Sequence, residues 1–169
     1  QIAVILELPQ PARLIILAFL HMALPRKDRA LVRINLDLFG EIDPERQRIS
    51  LDGRLRESYV LGFPIEGEMA MRIQGGPQRN FALAIGGFNP GYKPPPGFPK
   101  LKPITIPIGI DDNPRITIEG YLALTSNTLQ VGASASVYAE AGWFNITGNV
   151  SFHALFTFIP FSFVTDFCG

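Results

Sequence analysis

The stretch GGFNPGYKPPPGFPKLKP, residues 86–103, holds six prolines and four glycines in eighteen residues. Proline removes a backbone donor and clashes with the preceding turn, so no helix and no central strand runs through it. On either side the chain reads as successive short β-strands. The stretch therefore predicts one β domain over residues 1–169, with sub-blocks 1–87 and 104–169 joined by a rigid loop at 88–103. The competing reading of KPPPGFP is a polyproline II ligand for an SH3-like groove.

Outward from the loop, the apolar residues recur with period two rather than 3.6. Val32, Ile34, Leu36 and Leu38 alternate with Arg33, Asn35 and Asp37. Ile49, Leu51 and Leu55 alternate with Ser50, Asp52, Arg54 and Arg56, and Met69, Met71 and Ile73 follow opposite Glu68 and Arg72. Beyond the loop, Ile104, Ile106 and Ile108 share one parity, and Pro107 among them marks an edge or a bulge. Ile116, Ile118, Leu122 and Leu124 continue the pattern before the Ala-, Ser- and Gly-rich residues 128–141. Residues 14–24 (LIILAFLHMAL) are apolar on both parities, which predicts a buried strand covered on both faces. At eleven residues they are too short for a membrane-spanning helix, which needs about twenty.

These patterns predict an all-β fold of about eleven mostly antiparallel strands in a curved, twisted meander, with almost no helix. Two forms remain open: an open, groove-like sheet, or a sandwich or barrel. In an open sheet the first and last strands are unprotected edges. The Phe-rich run FHALFTFIPFSFVTDF near residue 169 therefore predicts a piece of a longer polypeptide, with the remainder of that chain or a protein partner pairing with the edge strands.

Fifteen basic residues balance fifteen acidic ones, which argues against a nucleic-acid partner, and no transmembrane helix is readable. The single cysteine, Cys168, excludes an internal disulfide. There is no G-x-S-x-G, no phosphate-binding glycine loop and no H-E-x-x-H. His21 and His153 lie far apart inside apolar strands, and Cys168 has no C-x-x-C partner. Asp111, Asp112 and Asn113, and separately Glu41, Asp43 and Glu45, read as turn chemistry rather than calcium ligands. The arginines around residues 26–33 and 46–56 are diluted by acidic neighbours and read as a solvated face. No catalytic, cofactor or metal site is assigned.

What remains is an apolar stripe running from Ile116 to Phe163. It is either the core of a sandwich or an open wall, and an open stripe of this size far exceeds what a soluble monomer exposes. The first functional expectation is a non-enzymatic β-structural or interaction module. The second is a carrier or conduit for lipid or another apolar ligand, with Phe144, Val150, Phe152, Phe156, Phe158, Phe161 and Phe163 as its wall.

The strings GGFNPGYKPPPGFP, ALTSNT, YAEAG and FHALFTFIPFSF resemble a segment of large bacterial β-rich proteins that form a domain family of unknown function. The resemblance covers most of the chain and implies no catalytic residues. A looser similarity, of fold only, is to AsmA-like and TamB-like groove proteins, whose curved sheets hold acyl chains.

Overall fold

The computed structural model describes residues 1–7, 12–25, 30–109 and 113–169. The described residues contain no helix and thirteen strands, every paired ladder antiparallel. In chain order these are β1 (Ile2–Glu7), β2 (Arg13–Leu24), β3 (Val32–Asp43), β4 (Arg48–Leu55), β5 (Ser58–Val60), β6 (Phe63–Ile65) and β7 (Glu68–Gln74). They are followed by β8 (Asn80–Ile85), β9 (Ile104–Ile108), β10 (Arg115–Thr125), β11 (Thr128–Ala141), β12 (Phe144–Thr157) and β13 (Ser162–Cys168).

All thirteen belong to one sheet, and its path runs β1-β2-β3-β4-β7-β8-β10-β11-β12-β13 without closing. The open form is therefore the correct one of the two expected. Thirteen strands replace the expected eleven because β5 and β6 are three residues each, too short for alternation to reveal. They are extensions of β4 and β7. Leu36 lies opposite Leu55 and Val32 opposite Val60, so one side of the ladder gains a residue at a bulge beside Glu57, whose φ is 48°.

The Pro/Gly-rich stretch has a related origin. Leu122 of β10 pairs with Ile85, and Gly120, two residues along, pairs with Ile104. β8 and β9 thus occupy one strand line, and the intervening residues leave the sheet and return to it. Gly86 turns the chain out with φ 74°, and a Cβ there would stand 2.4 Å from the Gly120 carbonyl oxygen. Thr105 exchanges backbone bonds with Glu66 on the side away from β10. The ladder alternation gives Pro107 the same outward side, where no bridge requires its missing donor.

The excursion lies against the polar face of the sheet. Gly91 N–H donates to Asn89 Oδ1 at 2.9 Å, and Phe88 packs on Tyr92 and Phe98 with centroids 5.4 and 4.9 Å away. It is anchored by Asn89 N–H, which donates to Oε1 of the fully buried Gln130 at 2.9 Å, and by the Arg72 guanidinium beneath Phe98. Ala70, Ala82, Ala84 and Ala123 are the buried apolar side chains of this face. Small side chains sit where backbone packs on backbone.

No second sheet covers the other face among the described residues, so the apolar stripe is not a sandwich core. β2 likewise is not the buried strand its composition predicts: Leu17, Leu20, Met22 and Leu24 are each more than 40% exposed. A compact monomer of 18.6 kDa exposes about 8,200 Å², whereas this single layer exposes 11446 Å².

Candidate functional site

Directly opposed residues in an antiparallel ladder share a face, so the registers define both faces of the sheet. One row runs Val4, Ile16, Gly40, Leu51, Met71, Leu83, Leu124, Leu129, Phe156, Phe163. Every row of this face is apolar or glycine along the ten strands of the path, with Thr165 the one exception. All the charged residues of those strands fall on the opposite face. The apolar face thus extends from one edge of the sheet to the other, about 43 Å across at the usual strand spacing.

Five of the seven wall residues named from sequence lie on this face. Phe144, Val150, Phe152 and Phe156 stand on β12 and Phe163 on β13. Phe152 packs on Phe167 across the ladder with centroids 4.9 Å apart, and Phe156 on Phe163 at 4.3 Å. Ala154 lies between the two pairs and is 1% exposed. Phe158 and Phe161 sit apart from them in the turn joining β12 to β13, where Phe161 is 78% exposed. Towards β11 the wall becomes shallow, because Gly120, Ala133, Ala135 and Gly148 present little or no side chain.

The sequence-based wall stops short of what the structure assembles. β1 and β2 contribute Ile2, Val4, Leu20, Met22 and Leu24 to the same face. Their apolar character was visible in the sequence, but nothing local says that a strand some 130 residues away shares its face.

The polar face carries short ion pairs and hydrogen-bonded rows. Arg72 Nη2 donates to both carboxylate oxygens of Asp52, at 2.8 and 3.1 Å. Glu41 lies 3.7 Å from Arg13 and 3.8 Å from Arg48, and Arg56 3.2 Å from Asp37. Asp43 accepts the Arg46 backbone N–H at 3.0 Å, which holds its carboxyl below the usual carboxylate range, while burial opposes that shift. Of the arginines that the sequence analysis placed on a solvated face, Arg46, Arg48 and Arg56 are held in such pairs. Arg26, Lys27 and Arg29 lie outside the described residues, as do Asp111 and Asp112.

The two histidines do not meet. His21 Nδ1 is 2.6 Å from Asn35 Oδ1 on β3, and His153 Nδ1 is 3.1 Å from the Tyr121 hydroxyl. The Tyr121 ring reaches His153 by lying over Gly132, where a Cβ would come within 2.3 Å of it. Burial raises the Tyr121 hydroxyl above its ordinary pKa, and a hydrogen bond from Asn89 partly offsets this. Both histidines are on the polar face, and Cys168 is exposed on β13. No cluster of three metal-ligating side chains occurs among the described residues. No described helix is long and apolar enough to cross a membrane.

Fold and faces together define a single-layer, open antiparallel β-sheet protein with one face apolar and the other polar. Residues 1–168 match the model of a family of unknown function, DUF6603, and the chain belongs to that family. Neither the curated proteins nor the solved structures contain a match.

Proposed function

We propose that this chain is a non-enzymatic β-structural module whose apolar face is a wall for the acyl chains of lipid. One observation carries the reading: the face has no charged residue from edge to edge. A protein interface ordinarily combines an apolar centre with a polar rim and about one hydrogen bond per 100–200 Å². This face offers a single side-chain hydroxyl, on Thr165, and no rim. An acyl chain asks for neither. Its methylenes gain about 25 cal/mol for each Å² removed from water, wherever along the wall they lie. The aromatic pairs on β12 and β13 supply the deepest contacts, and the small residues around Gly120 and Ala135 leave room beside them.

The structural part of the reading rests on the edges. β1 and β13 each have one unpaired side, and neither carries the proline, lysine or bulge that usually guards an edge. A neighbouring β-strand, from the remainder of a longer polypeptide or from a protein partner, completes them.

The test is native mass spectrometry of the purified chain, followed by organic extraction and lipid analysis. The expected result is near-stoichiometric acyl lipid. Phe152→Asp, on the apolar face, loses that lipid with the sheet retained by circular dichroism, whereas Thr147→Asp, on the polar face, keeps it. A lipid-free chain, or equal loading of both variants, overturns the reading.

A further inference from the structure

Where the Pro/Gly-rich excursion returns to the sheet it stops short of β3, and the gap is a cleft of about 450 Å³ on the polar face. β4 is its floor, where Gly53 adds backbone but no side chain between Asp52 and Arg54. Leu17 of β2 and Phe39 of β3 form one wall, and Pro99 and Leu101 of the excursion form the other. Leu17, Phe39 and Asp52 lie opposite one another in the ladders and so share a row. Leu17 and Phe39 are each 42% exposed, an apolar pair set among the charges of this face. β3 and β7 stand two strand spacings apart, about 10 Å, which leaves room for one ring or one alkyl chain over β4. The cleft is built from β2, β3, β4, β7 and the excursion, all inside the sheet, so neither outer edge enters into its shape.

Five charged residues line the cleft, and they are not equally engaged. Asp52 receives Arg72 Nη2 on both carboxylate oxygens, and Asp37 lies 3.2 Å from Arg56 Nε. Glu68 Oε2 accepts the Lys102 backbone N–H at 3.1 Å. Arg54 and Lys100, in contrast, have no hydrogen-bond or ion-pair partner among the described residues. Arg54 stands between Asp37 and Glu68 in its row, but both of these carboxylates are already held by other donors.

The cleft thus offers apolar walls, three occupied carboxylates and two open cations. An anion placed there gains charge-assisted hydrogen bonds and breaks no ion pair. From this combination we infer that the cleft binds a small amphipathic monoanion. It is an organic acid whose aromatic or alkyl body lies between Phe39 and Leu101 and whose carboxylate meets Arg54 and Lys100. The volume falls within the range of about 300–1,000 Å³ typical of small-ligand sites. A second anionic group is disfavoured, because Glu57 and Glu66 line the next cleft along β4, beyond Arg54. The site lies on the face opposite the proposed lipid wall and does not rest on that reading.

The test is an amide chemical-shift titration with phenylpropionate, in nonionic detergent that masks the apolar face. Shifts should concentrate at Gly53, Arg54, Lys100 and Leu101. Phenylpropanol, the same body without the charge, should bind about tenfold more weakly, and Arg54→Gln should weaken phenylpropionate by a similar factor. Arg54 is exposed and makes no internal bond, so its replacement should leave the remaining amide spectrum unchanged. Lys100→Gln serves as the second variant if it does not. Arg79→Gln, on the β7–β8 turn outside the cleft, and Phe152→Asp, on the apolar face, should bind as the parent does. Absence of shifts at millimolar probe, shifts centred on β12, or equal affinity for the acid and the alcohol overturns the inference. So does undiminished binding by the Arg54 or Lys100 variant. Because Phe152→Asp tests the lipid wall and Arg54→Gln tests the cleft, failure of either reading leaves the other standing.

Discussion

Gly132 shows how one missing side chain organises several strands. Tyr121 crosses β11 over it to reach His153 on β12, and a methyl group would occupy the space of the ring. Gly132→Ala should cost about 1–3 kcal/mol, the range for overpacking, with a much smaller cost in a Tyr121→Ala background. Urea denaturation of the two single variants and the double variant measures that coupling. Asp43 gives the residue scale a pH signature. Its carboxyl is held below the reference value of 3.8 by the Arg46 N–H. Because the folded pKa is the lower one, its contribution is complete above the unfolded value and is lost as pH falls through the folded one. Asp43→Asn should remove that acid-side loss, flattening stability against pH below about 4, as read by thermal midpoints.

The Pro/Gly-rich stretch is the element on which sequence and structure meet most informatively. Its composition forbids helix and strand, and the structure agrees. Its place in the sheet follows from pairing: β8 and β9 lie end to end on β10, and the intervening residues cover the polar face. The small residues beneath it lack slack. Ala82 is 1% exposed and lines a cleft with Pro95, Pro96 and Gly97. Ala82→Leu should therefore cost about 1–3 kcal/mol by displacing the loop. Ala133→Leu, on the uncovered apolar face, should stay within about 0.5 kcal/mol. Chemical denaturation midpoints separate the two, and equal costs would show that the loop does not press on the sheet.

For the whole molecule, the dominant fact is area. A single layer exposing 11446 Å² leaves a ten-strand apolar face in contact with water. Whatever binds that face stabilises the folded chain by mass action, by about 2.7 kcal/mol at a hundred times its dissociation constant. The thermal midpoint should therefore rise with added long-chain amphiphile, and Phe152→Asp should blunt the rise. A midpoint indifferent to amphiphile would mean that the wall has no apolar ligand of this kind.

The amino-acid sequence determined the longer strands, because period-two alternation is local and survives without knowledge of neighbours, whereas β5 and β6 are too short to show it. It also determined that the region 86–103 stands outside regular structure, since proline and glycine act on their own backbone. Five of the seven proposed wall residues share a face for the same reason: the parity of β12 and β13 is written in their order. Phe158 and Phe161 followed the same apolar pattern, but the chain turns there, and a turn sets parity aside. Only the tertiary structure decided that the sheet is one uncovered layer. Residues 14–24 show why: an apolar strand reads identically whether a second sheet covers it or water does. Burial is a property of what packs against a residue, and the pairing of strands distant in sequence is what settles it.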